Sequence, residues 1–298
     1  MSKKERQRAE SKRIAEETVK IFQRGSYINL QHNVVELKQL QQAAMNNTIL
    51  YKPEELTNDF VLQSIENIVE KVTQRSRVET IIKLVAEPTL TALSIIKNNE
   101  DPNDCKHIGI LNFASAKNPG GGFLSGAQAQ EESLARASGL YFCLKERQCA
   151  RYYTENKRDE KCVYTNHTIF SVGVPIIRMD DGLLLDSPIL ASIITVPAVN
   201  AGVAMTRLKG SPANNKKQIL EVQRARIRFT MAIAAKNDCD CLILGAFGCG
   251  VFKNDPAEIA RIFYELLQDE FKNCFSMIYF AIPNANSENY LAFANYFQ

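Results

Sequence analysis

The sequence predicts an α/β fold in which helices cover both faces of a central sheet. From residue 78 onward, short apolar runs alternate with longer segments of helical periodicity, which is the pattern of strands and helices that follow one another. Two glycine-rich loops, at residues 120–122 and 245–250, each leave the end of a predicted strand. Because ligands bind where loops leave the strand ends in such sheets, both loops are predicted to line a ligand site.

The predicted elements follow the chain in order. Strands are predicted at residues 79–85, 108–113, 169–177, 192–197, 241–246 and 275–282. Helices are predicted at residues 89–97, 131–145, 216–237, 256–271 and 287–296. Residues 1–73 are predicted to be mostly helical, with periodic segments at 14–24 and 61–72 and a turn at Pro53. We therefore predict a helical N-terminal extension at residues 1–75 and an α/β domain at residues 76–298.

The length and composition of the chain limit its class. With 298 residues, 45% of them apolar, it can bury one sizeable core. The first twenty residues are charged and of mixed sign, without an apolar run that could act as a secretory signal or a membrane span. Eight cysteines without a CxxC pair and three widely separated histidines argue against a disulfide scaffold and a zinc site. We expect an intracellular protein that does not associate with membranes. Its expected location is the cytoplasm or, in a eukaryote, the nucleus.

The charge pattern gives no strong indication of a nucleic-acid partner. The net charge is only +3. The N-terminal stretch at residues 3–13 is rich in Lys and Arg but also carries Glu, so it is predicted to be mainly a solvated helix face. Contact with an acidic polymer such as RNA is the alternative for this stretch.

The most informative segment is residues 112–141, where three consecutive glycines follow Pro119. Gly120, Gly121 and Gly122 can adopt positive φ, and they allow a ligand to approach the main chain closely. Successive backbone N–H groups in such a loop can converge on one point. A phosphate or pyrophosphate is the predicted guest.

A carboxylate pair follows the glycine loop after a gap of seven residues. Helix-forming residues with apolar spacing predict a helix that starts at about Gln130, so Glu131 and Glu132 lie in its first turn. Acidic residues there can simply complement the helix dipole. The adjacent triple glycine favours a functional role instead, since it packs nothing itself. Successive helix residues point about 100° apart, so one carboxylate can face a reacting centre while the other orients the ligand.

The second glycine-rich loop lies between a predicted buried strand and a helix that begins near Pro256. Gly248 and Gly250 would allow its backbone to wrap a phosphate at the helix N-terminus. Glycine-rich strand-to-helix turns are often only turns, so this loop is a weak signal by itself.

Taken together, these motifs resemble the microbial-type branch of the poly(ADP-ribose) glycohydrolases. The resemblance rests on NFASAKNPGGGF, the Gln-Glu-Glu triplet, SLARASGLY, VPAVNAG at residues 196–202 and LGAFGCGVFKND at residues 244–255, and it extends from about residue 78 to the C-terminus. The family more often has Pro where Val199 stands. The resemblance implies a macrodomain-like three-layer α/β/α fold with a mixed central sheet. It also implies cleavage of ribose–ribose O-glycosidic bonds in poly(ADP-ribose), from chain ends.

The resemblance also implies roles for individual residues. Glu132 would act as general acid and then as base toward water, for which its pKa must be raised, and Glu131 would hold the ribose hydroxyls. Val251 and Phe252 would pack on the terminal ribose, although anchoring of the loop in the core is an equal alternative. The other candidate substrate-binding residues are the two asparagines before the loop, the loops themselves and the first residue of the triplet: Asn112, Asn118, Gly120, Gly121, Gly122, Gln130, Gly248, Cys249 and Gly250.

Neither a metal nor a cofactor is expected, because the ligand's own pyrophosphate can stabilise the positive charge of the transition state. The expected partners are poly(ADP-ribose), ADP-ribose and ADP-ribosylated proteins. The protein is expected to be a monomer that reverses ADP-ribosylation. Two alternatives stay open. A non-catalytic ADP-ribose reader would need the phosphate loops but not the carboxylate pair, and a mono-ADP-ribosyl hydrolase would differ only on the leaving-group side of the pocket.

Overall fold

The computed structural model describes residues 2–73, 79–99 and 105–298. Its helices and strands alternate along most of the chain. The helices are α1 (Lys3–Arg24), α2 (Lys38–Asn46), α3 (Asn58–Thr73), α4 (Thr89–Asn99), α5 (Gln130–Ala137), α6 (Leu140–Leu144), α7 (Ala150–Arg158), α8 (Ala201–Arg207), α9 (Pro212–Lys236), α10 (Pro256–Gln268) and α11 (Glu288–Phe297). The strands are β1 (Ser26–Ile28), β2 (Val34–Glu36), β3 (Ile49–Tyr51), β4 (Ile81–Val85), β5 (Ile108–Phe113), β6 (Thr168–Arg178), β7 (Leu184–Val196), β8 (Cys241–Leu244) and β9 (Met277–Ala281).

A seven-stranded mixed sheet with the order β3-β6-β7-β5-β8-β9-β4 forms the centre of the molecule. The pairs from β7 to β4 are parallel, whereas β3, β6 and β7 pair antiparallel. Strands β5, β8 and β9 are almost entirely buried, as expected for parallel strands covered on both sides. The prediction of an α/β fold with a mixed sheet is therefore confirmed.

Helices form a layer on each face of this sheet. One apolar core joins the sheet to α3, α9, α10 and α11. A second core, on the opposite face, joins it to α2, α4, α5, α6 and α7. This arrangement is the expected three-layer α/β/α architecture.

The N-terminal residues share the sheet and cores of the rest of the chain. Strand β3 forms an edge of the central sheet by pairing with β6, and α3 packs on α9. The predicted description as a helical extension missed this strand and the β1–β2 hairpin, because three-residue strands are too short to show periodicity. The predicted boundary at residue 75 lies outside the described residues, so the division into two units stays a prediction.

One predicted helix is wrong. The segment at residues 131–145 is not continuous but forms α5 and α6, with Ser138 extended between them (φ −146°). The Ser138 hydroxyl donates to the Leu134 carbonyl oxygen, and its backbone forms a bridge with Ile176 of β6. Serine competes locally for backbone hydrogen bonds, so it ends α5 here although the apolar spacing continues. Helices α7 and α8 were not predicted.

All eight cysteines are free, and seven of them are buried. Within the described ranges, no helix is long and apolar enough to cross a membrane.

Candidate active site

The carboxyl ends of β5, β8 and β9 meet at one edge of the sheet because these neighbouring strands are parallel. The loops that follow the three strands surround a cleft of about 550 Å³. The cleft lies where α/β sheets place their ligands, and both predicted glycine-rich loops contribute to its wall.

Most of the predicted site residues line this cleft. They are Asn118, Gly121, Gly122, Gln130, Glu131, Glu132, Gly248, Gly250, Val251 and Phe252. The wall that follows β9 was not predicted from the sequence, and it comprises Ile282, Pro283, Ser287 and Asn289. A usable signal existed, since the loop after a further parallel strand must open at the same edge of the sheet.

Three predicted residues lie behind the cleft wall instead. Asn112 is fully buried on β5, where its Nδ2 approaches Glu131 Oε1 (3.4 Å) and Thr195 Oγ1 (3.2 Å). Gly120 faces the Phe123 ring, and the Cys249 thiol packs against the core. Asn112 therefore contacts Glu131 from behind the cleft wall, and a direct contact of Asn112 with the ligand stays a prediction.

The first glycine loop cradles the carboxylates. Gly120 and Gly121 adopt positive φ (68° and 58°), whereas Gly122 does not (φ −100°). The Gly122 N–H donates to Glu132 Oε1 (2.9 Å), and the Gly121 N–H donates to the Asn118 carbonyl oxygen (3.0 Å). These two N–H groups of the predicted anion cradle are thus already bound, one by the Glu132 carboxylate and the other by the backbone.

Both carboxylates converge on Gly121. A Cβ atom added to this residue would lie well under 3.0 Å from Glu132 Oε1 and 3.0 Å from Glu131 Oε2. Glycine at this position is therefore required by a close approach as well as by its backbone conformation.

Glu131 is buried and carries a shifted pKa. The Ser115 N–H donates to its Oε2 (2.6 Å). Burial and, to a smaller extent, the neighbouring charge of Glu132 raise the pKa of Glu131 to about 8, although hydrogen bonds from Ser115, Asn112 and Gly120 act in the opposite direction. Glu131 therefore stays largely protonated near neutral pH.

Replacing Glu131 by Gln is expected to remove a pH-dependent part of the stability. The folded-state pKa of about 8 exceeds the ordinary value of 4.5. The stabilisation from protonated Glu131 is thus complete below about pH 4.5 and is lost as the pH rises through about 8. The free energy of unfolding of the wild type, relative to Glu131→Gln, should fall by a few kcal/mol between about pH 5 and 8.5.

Urea unfolding at both pH values measures this difference. The exposed Glu66 on α3 provides the control, since Glu66→Gln removes a surface carboxylate and leaves the buried carboxyl group of Glu131 in place. A difference between wild type and Glu131→Gln that does not change with pH would contradict the assigned pKa.

The second glycine loop presents unused backbone donors to the cleft. Gly248 adopts φ +74°, and an added Cβ there would overlap Ala198 and Asn254. In the part of the chain that the structure describes, the N–H groups of Gly248, Gly250, Val251 and Phe252 have no acceptor. The N-terminus of α10 is capped by Asp255, whose carboxylate accepts from the Ala257 N–H. An anion would therefore bind the loop amides rather than the helix terminus that the sequence analysis proposed.

Phe252 combines both roles that the sequence left open for it. It lines the cleft and also packs against the core beneath the loop. Its carbonyl oxygen accepts from the Gly202 N–H (3.1 Å), and its ring lies 6.2 Å from the Tyr164 ring. Val251 beside it is 81% exposed. Phe252 therefore presents a fixed apolar surface to the cleft, and Val251 presents an apolar side chain that is free to move.

A buried arginine behind Phe252 was missed by the sequence analysis. Arg226 on α9 is 1% exposed and donates to the carbonyl oxygens of Pro197 (2.9 Å), Val163 (2.6 Å) and Tyr164 (2.8 Å) and to Asn166 Oδ1 (3.1 Å). Burial lowers its pKa to about 10, so it stays charged at neutral pH. It fixes the backbone that supports the Tyr164 ring. Arg226 is one of three closely spaced arginines in α9, and nothing in the sequence distinguishes it from the other two for such a role.

The mixed sheet between two helical layers, with glycine loops and a carboxylate pair at the strand ends, defines a macrodomain-like α/β protein. A family model described as the catalytic domain of microbial-type PARG, the poly(ADP-ribose) glycohydrolases, matches residues 15–179. The chain belongs to this family, and the resemblance stated from the motifs is confirmed. The match begins within α1, ahead of the predicted boundary at residue 75.

Solved structures agree with this assignment. The chain is 36% identical to poly(ADP-ribose) glycohydrolase from Thermomonospora curvata bound to the inhibitor ADP-HPD, with a TM-score of 0.81 and coverage of 96% of this chain and 99% of that one. It is 39% identical to the Deinococcus radiodurans enzyme in complex with ADP-ribose, with a TM-score of 0.74 and coverage of 88% of this chain and 98% of that one. No curated protein sequence matches the chain significantly.

Proposed function

We propose that this protein hydrolyses the ribose–ribose O-glycosidic bonds of poly(ADP-ribose) and releases ADP-ribose. The observation that carries the proposal is the convergence of Glu131 and Glu132 on Gly121, across the cleft from the unused donors of the second loop. A glycosidase needs such a carboxyl group beside the bond that breaks, and a diphosphate ligand needs such donors.

Glu132 is the proposed general acid. It delivers a proton to the departing ribose oxygen while the bond between that oxygen and the anomeric carbon breaks, and its carboxylate then accepts a proton from the attacking water. The hydrogen bond from the Gly122 N–H fixes the carboxyl group of Glu132 in the cleft. Glu131, whose pKa is raised by burial, stays largely protonated near neutral pH and so places no second negative charge beside Glu132.

The remaining residues bind and orient the substrate. Glu131 holds the hydroxyls of the terminal ribose, and Phe252 packs on its ring. The donors of the second loop bind the pyrophosphate, whose negative charge faces the cationic transition state and supports it without a metal. Asn118 and Gln130 complete the wall near the glycine loop.

The proposal includes cleavage from chain ends by a monomeric protein. It also includes an intracellular location, either the cytoplasm or, in a eukaryote, the nucleus. ADP-ribosylated proteins are the proposed carriers of the polymer. The eight free cysteines support a reducing compartment.

The test is release of free ADP-ribose from an automodified poly(ADP-ribose) polymerase, followed by chromatography, together with calorimetric titration of ADP-ribose. Binding with release of ADP-ribose from the polymer supports the proposal. Binding without release would establish the non-catalytic reader instead. Release only from protein carrying single ADP-ribose units would establish a mono-ADP-ribosyl hydrolase.

A further inference from the structure

Helix α1 covers the segment that follows the glycine loop. Ala15 of α1 packs with Phe123 and Ala135 in one small apolar cluster. Gly126 adopts φ +78°, and an added Cβ there would overlap the backbone of Arg8. The first half of α1 therefore forms the rim beside the catalytic loop, a position that no motif in the sequence indicated.

Arg8 is attached to this rim with most of its guanidinium group free. Its Nε donates to the Ser125 carbonyl oxygen (2.9 Å), and Ser125 Oγ in turn donates to the carbonyl oxygen of Gly122 in the cleft wall (2.8 Å). The two terminal nitrogens of Arg8 have no acceptor among the described residues. A guanidinium oriented through Nε leaves two parallel donors, which is the geometry that binds a phosphate.

Other charges on the same part of the helix add to this positive surface. Lys4 lies one turn before Arg8 on the same face, is exposed, and forms no ion pair within the described chain. The nearby acidic residues are engaged elsewhere, because Glu5 accepts from the Ser2 N–H and Glu10 is paired with Arg13. Leu124, 44% exposed, immediately precedes Ser125, whose carbonyl oxygen binds Arg8.

The position of the proposed general acid, Glu132, determines the direction in which the leaving part of the polymer departs. The carboxyl group that protonates a leaving oxygen must lie on the side where that oxygen departs. Glu132 is held by Gly122, and the next residues of the chain are Phe123, Leu124 and Ser125 beneath α1. Leu124 and Arg8 are therefore the exposed apolar and cationic side chains that a group leaving on the Gly122 side of Glu132 would meet.

We propose that Lys4, Arg8 and Leu124 form a subsite for the second ADP-ribose unit of the polymer, the one that leaves. The two cations bind its pyrophosphate, and Leu124 contacts its adenosine. This inference rests on the proposed function. It gives the N-terminal helix a part in binding polymeric rather than single ADP-ribose.

The experiment compares two substrates. One is poly(ADP-ribose) of defined length, and the other is ADP-ribose joined through its terminal anomeric carbon to an uncharged phenol, which lacks the second pyrophosphate. The test variant is Lys4→Gln/Arg8→Gln, in which the Gln amide can still donate to the Ser125 carbonyl oxygen. The control is Lys20→Gln/Lys236→Gln, which removes the same charge from exposed positions on α1 and α9.

The ratio of kcat/KM for the polymer to kcat/KM for the phenol compound is expected to fall about fivefold to tenfold in the test variant and not in the control. Binding of the polymer through two phosphate contacts should also weaken about sevenfold in the wild type between about 50 and 200 mM salt, and less in the test variant.

An unchanged ratio would overturn the subsite. If kcat/KM fell equally for both substrates, the loss would come from a displaced loop and not from a missing phosphate contact. A failure of the proposed function is distinct, because the wild type would then release no ADP-ribose from the polymer, and the subsite would fall with it.

Discussion

Replacing Glu132 by Gln is expected to lower the rate of poly(ADP-ribose) hydrolysis by about 10³-fold, the usual range for loss of a positioned acid. The Gln carbonyl oxygen can still accept the hydrogen bond from the Gly122 N–H, so the side chain should keep its place. Only the transferable proton is lost. The variant should therefore still bind ADP-ribose, as measured by calorimetry alongside the release of ADP-ribose from the polymer.

The matched comparison is Glu131→Gln. Its Gln oxygen can still accept from the Ser115 N–H, and Glu132 remains as proton donor, so the loss of rate should be much smaller. If Glu131→Gln lost hydrolysis and Glu132→Gln retained it, Glu131 would be the general acid and Glu132 the residue that orients the ribose. If both variants retained hydrolysis, neither carboxyl group would deliver the proton.

Much of the fold was predictable because the parallel strands are apolar and regularly spaced. The predicted strand at residues 108–113 agrees with β5, and the predicted helices at residues 89–97 and 256–271 agree with α4 and α10 within a few residues. The early strands were not predictable in this way. Strand β3 has three residues, and only its pairing with β6 makes it part of the sheet.

The site was predictable where one short segment carried all of its parts. The glycine loop and the carboxylate pair lie within one stretch of chain, and the positive φ of Gly121 and the close approach of Glu132 follow from local chemistry. What depends on tertiary burial was not predictable. From the sequence, a raised pKa was expected at Glu132. In the folded protein, burial raises the pKa of Glu131, whose neighbours come from β5 and the segment after it.

The same distinction applies to the N-terminal helix. Its mixed charges predicted a solvated face, and most of that face is indeed exposed. Its contact with the glycine-loop segment joins residues more than a hundred positions apart, as in the bond between Arg8 and Ser125. Such a contact leaves no periodic trace, so only the folded structure identifies it.

Replacing Gly121 by Ala is expected to lower kcat/KM by about 10²-fold or more, since displacement of a catalytic group by about 1 Å has an effect of that size. The added methyl group would overlap Glu132 Oε1 and contact Glu131 Oε2, so both carboxyl groups must move. The positive φ of 58° adds strain of about 1 kcal/mol or more to the folded state.

The chain offers a control that separates the two effects. Gly173 of β6 has the same φ of 58°, but an added Cβ there meets nothing within 4 Å. Gly173→Ala should therefore lose a similar amount of stability in urea unfolding while it retains its rate of ADP-ribose release. If Gly121→Ala and Gly173→Ala lost equal activity, backbone strain alone would be responsible. A loss confined to Gly121→Ala would show that the glycine is needed because the two carboxyl groups occupy the space of its missing side chain.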